Sequence, residues 1–175
     1  MPGAGKSTAG RQLAAHLHLP FVDCDTEIER RLGTSIRSFF EQQGEAAFRD
    51  IEEQVLAELL NGEPKVLATG GGAVLRENNR RALRERSTVV YLRALPEELF
   101  RRLRHDRQRP LLQVADPLKR LRDLFGERDP LYAETAHFTI ETGRPSISAL
   151  VNMVLMQLEL AGVVTVERRE AKAGR

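Results

Sequence analysis

The feature that most narrows what this chain can fold into is the run Gly3-Ala4-Gly5-Lys6-Ser7-Thr8, set directly ahead of a helical pattern over residues 6–17 in which Ala9, Leu13, Ala14 and Leu17 share one side. Glycines let backbone N–H groups close around a polyphosphate, lysine reaches its terminal phosphates, and a serine hydroxyl can ligate Mg²⁺. The helix start adds a dipole that favours anions. The plain alternative is a chance Gly-Lys-Ser before a helix. The full pattern, G-x-x-x-x-G-K-S/T, follows a strand, and here its first glycine would fall one residue before Met1. The expectation is therefore that the natural protein begins upstream and that a strand precedes the loop.

Downstream, short apolar runs alternate with helical patterns. Phe21-Val22 reads as a buried strand running into Asp23 and Asp25. Ser35 caps a helix that Gly44 stops, and residues 45–60 form a longer one. Val66-Leu67-Ala68 is a second strand leading to Gly70-Gly71-Gly72. A charged helix over 78–86 precedes a strand over 88–92, and Pro96 opens a helix to residue 104. Residues 105–115 have no period. Asp116-Pro117 starts another helix, Phe138-Thr139-Ile140 is a fourth strand, and residues 146–160 form a closing helix. Strands alternating with helices in this way predict a three-layer α/β/α domain around a parallel sheet. Ligands in such folds lie beyond the carboxyl ends of the strands, where Asp23, Asp25 and the glycine triplet fall.

With 175 residues, 41% of them hydrophobic and 30% charged, the chain fits one globular unit with a real core. No apolar run reaches the roughly 18 residues a membrane span needs, no secretory leader opens the chain, and the lone Cys24 cannot form an internal disulfide. These features point to the cytoplasm. A net charge of +2 is weak grounds for a nucleic-acid partner, although residues 76–109 hold 11 basic against 5 acidic groups. The arginines of the 78–86 helix read as a solvated face.

Three further motifs carry possible chemistry. Asp23 and Asp25 at a strand end could serve Mg²⁺ and a hydroxyl, one each; equally, Asp25 could be the N-cap of the helix that follows. Arg49 and Glu52, three apart, share a helix face, as an exposed ion pair also would. Three successive glycines after a strand offer backbone access to a substrate or simply a tight turn.

GAGKST, DCD, FRDIE, GGG, RPLL, ERDPLY and TGRP, in this order over nearly the whole chain, resemble the shikimate kinase family. The resemblance implies a P-loop kinase fold with strand order 2-3-1-4-5, of which this sequence shows all but the first and central strand. It implies ATP-dependent phosphorylation of the 3-hydroxyl of shikimate, on the way to chorismate and the aromatic amino acids, by a cytoplasmic monomer. ATP would be co-substrate and Mg²⁺ the cofactor, with neither nucleic acid nor membrane as partner.

By the same resemblance, Gly3, Ala4, Gly5, Lys6, Ser7 and Thr8 bind ATP, with Lys6 on the β/γ-phosphates. Ser7 and, through water, Asp23 hold the metal. Asp25 binds substrate hydroxyls and is the candidate base. Arg49 and Arg128 grip the carboxylate, Glu52 orients Arg49, Gly71 and Gly72 offer backbone contacts, and Phe40 and Phe48 wall the substrate's ring. Arg109 closes onto the phosphates from a lid at about 105–115, while Arg102 and the Arg144-Pro145 turn flank adenine. The kinase domain would span 1–162, followed by a flexible tail over 163–175. Three rivals stand beside this reading: a P-loop kinase for gluconate or a nucleoside monophosphate, an arginine-rich nucleic-acid module at 76–109, and a catalytically silent chain.

Overall fold

Gly5 caps the amino end of helix α1 (Lys6–Leu17) with a left-handed backbone, and α1 then delivers the chain to strand β1 (Phe21–Asp23). The computed structural model describes residues 3–103, 114–143 and 146–165. Helix α2 (Cys24–Leu32) follows β1 without a loop; its N-cap is Asp23, whose side chain accepts from the N–H groups of Asp25 and Thr26. The helix expected after the aspartates is present, but its cap is Asp23 rather than Asp25. Ser35 caps α3 (Ile36–Leu60) as expected. The break predicted at Gly44 is a kink within α3, where φ 82° and ψ 174° suit glycine alone.

Strand β2 (Val66–Ala68) leads through the glycine triplet and a 3₁₀ turn (Ala73–Leu75) to α4 (Glu77–Arg86). Strand β3 (Val90–Arg93), α5 (Pro96–Leu103), α6 (Pro117–Thr135), β4 (Phe138–Glu141) and α7 (Ile147–Leu160) complete the order. Proline opens both α5 and α6, where its missing N–H has no helical partner to lose.

The strands form two parallel pairs. In one, β1 lies on β2 with Phe21 opposite Val66 and Asp23 opposite Ala68; in the other, β3 lies on β4 with Val90 opposite Phe138 and Arg93 opposite Glu141. Among the described residues β2 and β3 share no ladder. Between them runs a cavity of about 480 Å³, walled by Ala9 and Leu13 of α1, Val154 and Leu158 of α7, Leu83 of α4 and Tyr132 of α6. The sequence-based expectation of one parallel sheet thus resolves into two halves flanking an apolar slot.

Apolar side chains from both layers close around these pairs. Leu99, Leu121 and Leu124 are fully buried beside Tyr91 and Tyr132, and Ala9, Ile140, Leu150 and Val154 join α1, β4 and α7. Each such leucine contributes about 1.5–3 kcal/mol relative to exposure. Cys24, Ile28, Phe48 and Val55 pin α2 to α3, with Leu67 of β2 packed against them.

Of the arginines on α4 expected to form a solvated face, Arg81, Arg84 and Arg86 are exposed and Arg80 is half-buried, and three of the four also reach neighbouring elements. Arg80 donates to the Val74 carbonyl (2.8 Å), Arg84 to the Glu134 carbonyl (2.9 Å) and Arg86 to Asn61 (2.9 Å). These cations pin α4 to its neighbours, because a long guanidinium can reach carbonyls left unpaired at turns and helix ends.

Candidate active site

The carboxyl ends of β1 and β2 bring the loop, the aspartates and the glycine triplet together. Lys6 and Ser7 open α1. Ser7 Oγ donates to Asp23 Oδ2 at 2.8 Å, while Asp23 Oδ1 accepts from the backbone N–H of Asp25 at 3.1 Å and of Thr26 at 3.4 Å. Capping α2 thus falls to Asp23, and the carboxylate of Asp25 is left to the site. Cys24 between them points into the core, where burial above all, with the neighbouring Asp25, pushes its thiol up to about 12. It is an inert packing residue.

Asp25 is held well above the ordinary carboxylate range, at about 6. Burial is the main cause, Asp23 and Glu52 add repulsion, and Lys6 acts in the opposite direction.

Arg49 and Glu52, on consecutive turns of α3, form the second part. Arg49 Nη1 meets Glu52 Oε2 at 2.6 Å and Nη2 meets Glu45 Oε1 at 3.0 Å. Glu52 is 1% exposed and is paired there with Arg49. The guanidinium lies 5.2 Å from the Phe48 ring centre and 6.0 Å from that of Phe40, and the two rings stand 4.7 Å apart. This is a flat cation on an aromatic wall.

The triplet explains itself by close approach. A methyl group on Gly70 would sit 2.7 Å from Asp25 Oδ1 and 2.9 Å from Glu52 Oε1, and one on Gly72 would sit 2.3 Å from both terminal nitrogens of Arg49. At Gly71 it would stand 3.5 Å from Arg128 Nη1 and from the Tyr132 hydroxyl. The triplet is where Asp25, Arg49, Glu52, Arg128 and Tyr132 converge. Arg128, on α6, keeps a buried Nε without a hydrogen-bond partner.

Ala4 is buried against the α5 side of the core, and Gly3 lies against Leu103. Arg102 donates to the Thr142 carbonyl, to Thr142 Oγ1 at 3.4 Å and to the Gly3 carbonyl at 3.5 Å, which ties the loop to the segment after β4. Arg109, Arg144 and Pro145 lie outside the described residues, as do 105–113 of the expected lid and 166–175 of the expected tail. Two members of the site were missed in the sequence. Gly70 stood in view within the triplet, and Tyr132 lies one helical turn after Arg128, a spacing that places both on one face.

A loop of the phosphate-binding pattern at a helix start, paired acids at a strand end and two arginines meeting at a glycine turn are the features of a P-loop phosphotransferase. The family model for shikimate kinase matches residues 2–159. The shikimate kinase of Paracidovorax citrulli is 61% identical, with 93% of this chain and 91% of that one covered. That of Burkholderia pseudomallei is 60% identical, with 93% and 88% covered. Among solved structures, shikimate kinase from Acinetobacter baumannii in complex with shikimate matches with a TM-score of 0.85 and 47% identity over 93% of this chain and 90% of that one. The chain belongs to the shikimate kinase family.

Proposed function

We propose the following residue roles for the activity that family membership brings, the transfer of the ATP γ-phosphoryl group to the 3-hydroxyl of shikimate in aromatic amino acid biosynthesis. The loop Gly3–Thr8 cradles the ATP phosphates, with Lys6 on the β/γ oxygens. Asp25 accepts a hydrogen bond from the acceptor hydroxyl and takes its proton as that oxygen bonds to the γ-phosphorus and the bond to the ADP oxygen breaks. Arg49 and Arg128 clamp the shikimate carboxylate, with Glu52 fixing Arg49. Phe40 and Phe48 wall the ring, and Gly71 and Gly72 offer backbone groups.

Arg109 adds positive charge to the transferring phosphoryl group, and Arg102 and the Arg144-Pro145 turn border the adenine. A loose phosphoryl-transfer transition state needs alignment and cations more than covalent help, which suits this set. The observation that carries the reading is the convergence of Asp25, Arg49, Glu52 and Arg128 on Gly70–Gly72 beside the phosphate loop.

Ser7 Oγ and Asp23 Oδ2, two hard oxygens 2.8 Å apart, fit Mg²⁺ held partly by water and phosphate oxygens. Among the described residues no group of three His, Cys, Asp or Glu forms a cage of its own. When bound, the ion neutralises phosphate charge; Ser7 and Asp23 hold it in position.

The domain is taken as 1–162, acting as a cytoplasmic monomer without nucleic acid or membrane partners, with a lid at 105–115 and a tail at 163–175. Among the described residues no helix is long and apolar enough to cross a membrane. The slot between β2 and β3 supports the further strand expected ahead of the loop. A coupled ADP-release assay with shikimate, on the chain as it stands and with a short apolar β-branched extension ahead of Met1, tests both readings. Shikimate-dependent release is expected, faster with the extension. Release that depends instead on gluconate or a nucleoside monophosphate would overturn the acceptor assignment, and no gain from the extension would overturn the strand.

A further inference from the structure

All three glycine carbonyls of the triplet are occupied. Those of Gly70 and Gly72 accept from the N–H groups of Ala73 (3.2 Å) and Leu75 (3.0 Å), as a tight turn requires. The middle one, of Gly71, accepts from the hydroxyl of Tyr132 at 2.5 Å, across 61 residues of sequence. In a planar trans peptide the carbonyl and the next N–H point in opposite directions. Anchoring the Gly71 oxygen therefore also fixes the direction of the Gly72 N–H.

Tyr132 is itself held. Its ring packs on Tyr91 with centres 4.8 Å apart, and the Tyr91 hydroxyl donates to Asp129 Oδ1 at 2.9 Å. Asp129 in turn takes two hydrogen bonds from Arg93 of β3, at 2.9 and 3.2 Å. Arg128, next to Asp129 in sequence, lies against the Tyr132 hydroxyl. Burial raises the Tyr132 phenol, with Arg128 acting the other way, so the hydroxyl remains a donor through the neutral range.

We propose that Tyr132 is a positioning residue for the acceptor site, aligning the Gly71–Gly72 peptide and the Arg128 guanidinium through one hydroxyl. Glycines have no side chain to limit their motion, and a turn built from three of them needs an outside anchor to present its N–H in one direction. The inference rests on shikimate as acceptor. It adds a residue that fixes affinity for the acceptor without touching the nucleotide.

The test is Tyr132→Phe in the full chain, which keeps the ring on Tyr91 and removes only the hydroxyl. A 5- to 30-fold rise in KM for shikimate is expected, with kcat within about threefold and KM for ATP unchanged. Tyr91→Phe, which loses the Asp129 contact but leaves Gly71 bonded, should leave the shikimate KM within twofold. A merely structural tyrosine would lower kcat with both KM values unchanged, raise both KM values together, or lower the melting temperature alone. Amide hydrogen exchange on the unmodified chain gives a second readout that no variant can spoil. Residues 70–73 are expected to exchange slowly and to gain further protection with shikimate. Free exchange with and without shikimate, or an unchanged shikimate KM in an active Tyr132→Phe, overturns the proposal. A chain that neither binds nor phosphorylates shikimate overturns the underlying reading, and this proposal with it.

Discussion

Asp25→Asn is expected to make the protein more stable and nearly inactive at once. A carboxyl whose folded value lies at about 6 against an ordinary 3.8 binds its proton more tightly in the folded chain than in the unfolded one. Its ionisation therefore works against folding. The cost is absent below about pH 4, grows as pH rises between the two values and is complete above about pH 6. The gap of roughly two units corresponds to about 3 kcal/mol at 1.36 kcal/mol per unit.

Asparagine keeps the size of the side chain and removes the charge that burial, Asp23 and Glu52 all oppose. The variant should therefore gain up to about 3 kcal/mol at pH 7.5, or about 6–12 °C in Tm for a domain of this size. Thermal melts from pH 3.5 to 8, without nucleotide and with chelator present, should show the gain over wild type shrinking to nothing towards pH 4. A coupled assay should show kcat reduced at least a hundredfold, because the acceptor hydroxyl loses its proton acceptor. An Asp25→Asn protein no more stable than wild type at pH 7.5, or a gain independent of pH, would refute the electrostatic account. A normal kcat would refute the catalytic one.

Four further substitutions probe the acceptor side. Arg49→Ala strands the carboxylate of Glu52, which is 1% exposed, and should cost about 3–5 kcal/mol in urea unfolding while raising the shikimate KM more than tenfold. Adding Glu52→Gln should restore most of the stability and none of the affinity; recovery of KM would place the clamp elsewhere. Gly72→Ala puts a methyl 2.3 Å from the Arg49 nitrogens, whereas Gly71→Ala meets Arg128 and Tyr132 at an ordinary 3.5 Å. The first should raise the shikimate KM far more than the second with both proteins folded, and equal kinetics would contradict the packing seen around the triplet.

Much of the fold was legible because helix signals are local. Ser35, the Pro96 and Pro117 starts and the Gly44 break are all written in single residues: α3, α5 and α6 begin where those residues place them, and Gly44 kinks α3. For helix α2 the residue that caps it was hidden. The helix starts on the residue directly after β1, and the same Asp-Cys-Asp run had to serve strand end, cap and site, so no spacing within it separates the three tasks. The roles of the two aspartates follow only from direction in space: Asp23 turns back onto the N–H groups of α2 and Ser7, while Asp25 faces Gly70 and Glu52.

Tyr132 was illegible for a different reason, since its partner is a backbone carbonyl 61 residues away and a carbonyl has no sequence signature. The same holds for the contacts of Arg80 and Arg84 on α4, which a charge count cannot show. Their acceptors are the Val74 and Glu134 carbonyls, ends of turns and helices that exist only once the chain has folded. Side chains that recognise one another leave a pattern in sequence, as Arg49 and Glu52 do at a spacing of three. Side chains that recognise backbone do not, and in this protein they tie α4 to its neighbours and Tyr132 to the glycine turn.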